Sequence, residues 1–251
     1  MTPLGAMLHR ETRIRATNFT FLFWDLLYPL FYLLVFGVAM NASLGGAVLG
    51  PGVSYDAFFL AGVLGIASFG IANNSAWSFF LDRDNGIFYE MLTYPMRRAD
   101  YLLGKMLLNV AIAVAQAVIT IAIACSLLGI TIAWQRWPLL AAGVAGGAAA
   151  WFFLYAIFAL TIRRNDLFNS VTSIFYFVFL FASSLFYPLA ALPRWLRVTS
   201  LCNPITWQVD VLRYATLGTG RGGQVAWEAA AFVAFGLVSF LVALRALARQ
   251  G

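Results

Sequence analysis

The single lysine of the 251-residue chain, Lys105, directly follows Gly104, a pairing that invites comparison with a phosphate-binding loop. Such a loop, G-x-x-x-x-G-K-[ST], wraps backbone amides around phosphates and sets the lysine against their charge. Here Ala99 stands where the first glycine is needed and Met106 where the hydroxyl is needed, so the sequence holds no nucleotide phosphates at this point. Metal and nucleophile chemistry have as little to build on. The one histidine, His9, and the two cysteines, Cys125 deep in an apolar run and Cys202 in a later connection, have no ligand spacing, and their different expected depths argue against a disulfide. The carboxylates of the connections assigned below to the outer side are Asp56, Asp210 and Glu228, too scattered for an acid and base pair. What remains is a concentration of charge in one place: Asp82, Arg83, Asp84, Glu90, Arg97, Arg98, Asp100 and Lys105 fall within residues 82–105.

The elements that must position this stretch follow from composition. The chain is 62% hydrophobic and 10% charged, where an ordinary soluble domain carries about 25% charged residues. That composition describes an all-α integral membrane protein whose length suits six spans of roughly 20 residues and leaves no room for a large soluble domain. Six apolar runs meet the requirement, at residues 19–40, 58–80, 106–130, 139–162, 167–189 and 226–244, within a single domain over 1–251. The first run is longer than the roughly 7–15 apolar residues of a cleaved signal and no A-x-A site follows it, so it is expected to stay.

Orientation follows from the cations. With the N-terminus inside, the inner segments hold Arg10, Arg13, Arg15, Arg83, Arg97, Arg98, Lys105, Arg163, Arg164, Arg245 and Arg249, leaving Arg136, Arg194, Arg197, Arg213 and Arg221 outside. The positive-inside rule then puts both termini in the cytoplasm, in the plasma (inner) membrane. The net charge of +6 is a signal of topology and lipid headgroups, not of nucleic acid. Arginine outnumbers lysine fifteen to one, which points to a GC-rich bacterial genome.

The charged stretch therefore lies on the inner side between spans two and three. At roughly 2.5 kcal/mol or more per charge, burying all of it at mid-membrane would cost on the order of 20 kcal/mol, so the stretch is expected in water or among headgroups. Ile87, Phe88, Met91 and Leu92 recur at helical spacing, with Asn85 placed to cap the start and Pro95 biasing Tyr94 away from helix. A short amphipathic helix and a break are expected, then a second helix running through Gly104 into span three. On the outer side, Pro193 and Pro204 divide residues 193–218 into two short helices too apolar for a solvated linker, with Asp210 and Arg213 paired on one face near the headgroups. Asp25, Asn73, Asn74 and Gln116 are polar groups within the spans, placed either to bond between helices or to face cargo. Pro29 is expected to bend span one. Residues 8–15 are basic and partly amphipathic, suited equally to a topology anchor and to a helix on the inner headgroups.

Two motifs carry a resemblance. Asp82-Arg83-Asp84-Asn85-Gly86, followed by Glu90-Met91-Leu92, Pro95, Arg98 and Gly104-Lys105, is similar to the D-R-E-x-G-x-x-x-E-x-L, proline, arginine, G-K order of ATP-binding-cassette permeases of the type-2 export family. Asn203-Pro204-Ile205-Thr206-Trp207, with Asp210 and Arg213, resembles their N-P-L-T-Y-x-x-D-x-x-R pattern, with Asp84 and Trp207 standing for the more usual glutamate and tyrosine. The resemblance implies a non-enzymatic permease subunit that exports an amphipathic drug-like molecule, lipid or lipid-linked glycan. It implies two copies of a separate cytoplasmic ATPase, which would carry the ATP and magnesium, so that this chain needs no cofactor. A second permease copy would complete the pathway. Asp82, Arg83, Gly86, Glu90, Met91, Leu92, Pro95, Arg97 and Arg98 would then form a coupling helix against the ATPase, joined by an interfacial N-terminal helix. Asn203, Pro204, Thr206, Trp207, Asp210 and Arg213 would form a re-entrant outer gate. An ion-coupled secondary transporter or channel is the alternative, and it would place paired ionisable residues at mid-membrane in repeated halves.

Overall fold

A computed structural model describes residues 2–44, 53–91, 93–94 and 96–250. Leu92 and Pro95, two of the expected coupling residues, lie outside the described residues. The described chain is helical throughout: α1 (Pro3–Thr17), α2 (Phe19–Phe31), α3 (Val38–Leu44), α4 (Tyr55–Asp84), α5 (Ile87–Met91), α6 (Arg98–Leu127), α7 (Trp137–Thr161), α8 (Asn165–Phe181), α9 (Arg194–Leu201), α10 (Pro204–Leu217) and α11 (Gly222–Ala248).

Among the described residues, five helices are long and apolar enough to cross a membrane: Phe23–Ser43, Tyr55–Asp84, Arg98–Leu127, Trp134–Thr161 and Gly222–Ala248. Pro29 leaves its mark in the first of these, because the helix opens into a wide π-turn over Tyr32–Gly37 before α3 resumes. The fifth expected run, 167–189, is only partly one helix. α8 has 17 residues, about 26 Å at 1.5 Å each, and the chain bends after Phe181. The bend is stabilised from outside the helix, since the Asn203 amide donates to the carbonyls of Phe179 (2.7 Å) and Ala182 (2.8 Å), which a continuing helix would have used itself.

α4 is the axis of the bundle. It is apolar nearly all round and buried along almost its whole length, as a helix without a polar face must be. α7, α10, α6 and α2 pack around it, and α11 packs on α7 and α10. Aromatic contacts fix these crossings: Phe69 of α4 meets Trp151 of α7 edge-on at 4.6 Å and stacks on Tyr176 of α8 at 5.0 Å.

Helix ends show how the sequence sets the layout. At α1, Thr2 accepts from the Gly5 amide at 3.3 Å and Pro3 occupies the first turn. At α10, the Asn203 side chain accepts from the Ile205 amide at 3.0 Å, Pro204 follows, and Gly218 ends the helix with a left-handed φ of 73°. The expected cap at Asn85 is corrected, because Asn85 closes α4 instead of opening α5. Gly86 makes the turn with φ 78°, and its carbonyl accepts from the amides of Tyr89 and Glu90, both at 3.0 Å. Cys125 is also not deep in its span: it lies in the last turn of α6, exposed, and like Cys202 it is a free thiol.

Candidate functional site

The α4–α5–α6 connection is built on one anchor. Phe88 of α5 is fully buried against Tyr101 (ring centroids 5.2 Å) and Phe79 (5.8 Å), while Ile87 and Met91 are half-buried beside it. The helix therefore turns Tyr89, 47% exposed, and Glu90 outward, and Arg97 is exposed just beyond. Asp100 accepts from the Arg97 amide at 3.3 Å and so starts α6.

Behind α5 the expectation of a fully hydrated stretch fails. Asp82, Arg83 and Lys105 are buried, because each finds partners that a view of the connection alone does not contain. Asp82 accepts from the Tyr101 hydroxyl at 2.7 Å and pairs with Lys105 at 2.8 Å and Arg10 at 2.9 Å. Lys105 also pairs with Glu11 at 3.1 Å, and Arg10 closes the ring onto Glu11. Two cations and two anions thus neutralise one another, which removes most of the penalty of taking them out of water. Burial alone lowers the Arg10 guanidinium, but the Asp82 hydrogen bond and charge outweigh it and hold Arg10 above its ordinary range. α1 reaches this depth because residue 104 is glycine: a Cβ there would stand 2.6 Å from Met7 Cγ.

Two other arginines of the connection turn inward. Arg83 donates to the Ala159 and Ile162 carbonyls at the C-terminal end of α7. Arg98 donates to the carbonyls of Ala248 (2.9 Å) and Leu247 (3.4 Å) at the end of α11. Of the expected coupling residues described, Glu90 and Arg97 stay on the surface, Gly86 shapes the turn, Met91 is half-buried, and Asp82, Arg83 and Arg98 bond within the chain.

Residues 193–218 fold as two helices divided at the expected prolines. Arg213 and Asp210 pair at 2.5 Å, and both are largely buried within the chain. The reason is what surrounds them: the Ser184 hydroxyl donates to Asp210 at 2.9 Å, Arg213 donates to the Ser184 carbonyl at 2.8 Å, and its guanidinium lies 3.9 Å from the Phe58 ring centroid. Thr206 accepts from the Ser184 amide at 3.1 Å, and the Trp207 indole donates to the Leu201 carbonyl at 2.7 Å. Gln208, which the sequence did not single out, is buried and accepts from the Trp151 indole at 2.6 Å, joining α10 to α7.

The polar residues of the spans separate into two groups. Asp25 pairs with Arg15 at 2.8 Å and accepts from Asn74 at 2.6 Å, and Asn73 and Asn74 join Asp25 along a cavity of about 290 Å³ between α2, α4 and α8. Tyr28, Ser173 and Tyr176 complete its polar lining. Gln116 stands apart from it and donates within its own helix to Thr120 at 2.8 Å. Asn109, missed in the sequence, donates across to the Ala148 carbonyl of α7 at 2.9 Å. Among the described residues no three His, Cys, Asp or Glu side chains converge on a point where a metal would bind.

The sequence matches the family of ABC-2 type transporters over residues 2–217, which takes in α1 through α10. A search of the curated proteins found no match. The family match over most of the chain sets the ion-coupled alternative aside. The chain belongs to the ABC-2 type transporter family, as a multi-pass, non-catalytic membrane permease component that moves substrate across the membrane while a separate cytoplasmic ABC ATPase hydrolyses the ATP.

Proposed function

We propose that the chain is one half of a paired exporter permease, with α5 as the helix on which the ATPase seats. The observation that carries this is the two-sided build of α5: Phe88 is locked into the bundle while Tyr89 and Glu90 face out. A helix of five residues has no stability of its own, so one that is anchored by a single ring and presents a carboxylate outward suits a contact that must move with the bundle. Both termini and this helix lie in the cytoplasm, on the distribution of cations along the chain.

α8 is the sixth span, completed by the bent segment after Phe181, and residues 1–251 act as one transmembrane domain. α9 and α10 form a re-entrant pair that roofs the outer end. Gln208 meets Trp151 midway along α7, whereas the C-terminal end of α10 lies beside Arg136 at the start of α7, so α10 runs from the middle of the bundle toward its outer surface. The pathway runs along the cavity beside Asp25, Asn73 and Asn74. Apolar side chains on the same helices, Phe31, Val35, Ile174, Phe177 and Phe181, remain uncovered, and a second permease copy facing them closes the route. A cavity with amide and hydroxyl groups set in an aromatic wall suits an amphipathic cargo.

Replacing Glu90 with alanine tests the seat. The variant is expected to insert normally and to lose stimulation of the ATPase by the permease. Undiminished stimulation in a fully assembled complex would refute the role of α5.

A further inference from the structure

The connection between α4 and α6 is joined to distant parts of the chain by its arginines, and both joints end on carbonyls at the C-terminal end of a helix. Arg83, in the last turn of α4, donates to the Ala159 and Ile162 carbonyls, which are the free carbonyls at the end of α7. Arg98, at the first position of α6, donates to the Leu247 and Ala248 carbonyls at the end of α11. The last turn of any helix leaves carbonyls without partners and carries the negative end of its dipole, so a guanidinium placed there is both a cap and an electrostatic tie. Arg83 is buried, and its planar fork reaches two carbonyls at once, which a lysine does poorly. Arg98 is half-buried and reaches α11 across a separation of 149 residues.

From this geometry we infer that Arg83 and Arg98 are positioning residues that tie the connection to α7 and α11, so that a displacement of α5 carries α4, α6, α7 and α11 together at their cytoplasmic ends. Carbonyls within the chain take up the fork of Arg83 and the Nη1 of Arg98, so neither tie needs the ATPase to form. This inference rests on the reading of α5 as the ATPase seat, but it concerns what happens behind that seat. α8 begins at Asn165, just beyond the Ile162 carbonyl that Arg83 holds, and its first turn is packed on the tied body by Phe168, which stacks on Phe80 of α4 at 4.7 Å.

The test uses the assembled permease and ATPase complex, with Cys125 and Cys202 replaced by serine and spin labels on exposed positions, Thr93 after α5, Thr161 at the end of α7 and Arg249 beyond α11. The distances from label 93 to label 161 and from label 93 to label 249 within one chain are read without nucleotide and with ATP trapped by vanadate. In the otherwise unchanged complex both distances are expected to hold within about 2 Å, the scale of small helix adjustments. Arg83→Gln should release the first distance and Arg98→Gln the second, seen as a nucleotide-dependent shift or a broadened distribution, with the ATPase still bound. Arg98→Lys should restore the second in part, since an ammonium can still donate to the carbonyls. If Arg83→Gln does not fold, the Arg98 pair decides. The inference is overturned if either distance already changes with nucleotide in the unchanged complex, if Arg98→Gln leaves its distance fixed, or if Arg98→Gln releases the ATPase, which would place the guanidinium on the docking face. Failure of the ATPase seat itself reads differently, as unaltered stimulation in Glu90→Ala.

Discussion

Removing the charge of Lys105 is the sharpest perturbation the structure offers. Its side chain is 2% exposed and touches two carboxylates, Asp82 at 2.8 Å and Glu11 at 3.1 Å, so solvent screening gives little relief. At an effective dielectric of about 20, each contact carries about 5–6 kcal/mol of attraction, much of it offset by the desolvation of the ammonium. Lys105→Met keeps the length and removes the charge, leaving two buried acids against Arg10 alone. Breaking one side of a buried pair in this way costs about 3–5 kcal/mol. In a melting experiment on the purified permease, followed by tryptophan fluorescence, that corresponds to a fall of about 6–20 °C. Adding Glu11→Gln restores the balance of charge, with Arg10 and Asp82 still paired, so the double variant should regain most of the loss. A single variant that melts within about 1 kcal/mol of the parent, or a double variant in which the two losses simply add, would show that water already reaches the cluster and would refute the argument.

Gly147→Ala places a Cβ against the Gln208 side-chain amide and must push Gln208 off Trp151, so a loss of about 1–3 kcal/mol is expected in the same melting assay, whereas Gly146→Ala, with nothing within 4 Å, should stay within about 0.5 kcal/mol. Single cysteines at Ala6, Ala99 and Ala248, in a chain without its own cysteines, should resist an impermeant thiol reagent in intact cells and react after lysis. Labelling at any of them before lysis would overturn the orientation. Cysteines at Ile205 and Val209, both buried in α10, should be protected from outside, and protection that changes with ATP in the complex would mark a gate. Rapid labelling in every state would mean an open loop.

The apolar runs were legible because a membrane span is specified locally: about twenty apolar residues suffice, and no distant partner is needed. The same holds for α9 and α10, which Pro193 and Pro204 announce. What could not be read was the fate of the charges that border the runs. Asp82 and Lys105 looked too costly to bury because their partners Arg10 and Glu11 are 72 and 94 residues away in the chain, and no local pattern marks the four as a set. Arg98 matched a family motif, which drew attention to a partner chain, while its own carbonyls lay at the far end of α11. The short α8 is a related case: composition continues past Phe181, but Asn203 supplies the hydrogen bonds that let the helix stop there. Gln208 carried no signal at all, since an amide one position beyond the Asn-Pro-Ile-Thr-Trp run is as compatible with a surface as with a core.

The ties at α7 and α11 also set an order of manufacture. Arg83 and Arg98 leave the ribosome long before the carbonyls they hold, and the last of these belongs to Ala248, with Gln250 then donating to the Leu160 carbonyl at 2.8 Å. Until Leu247 and Ala248 emerge, the Arg98 guanidinium lacks the carbonyls that hold it in the finished fold, whereas those that hold Arg83 are already made with α7. The end of the bundle that carries α5 is therefore closed in two steps, and a chain cut short before Leu247 would lack the second even with its earlier helices in place.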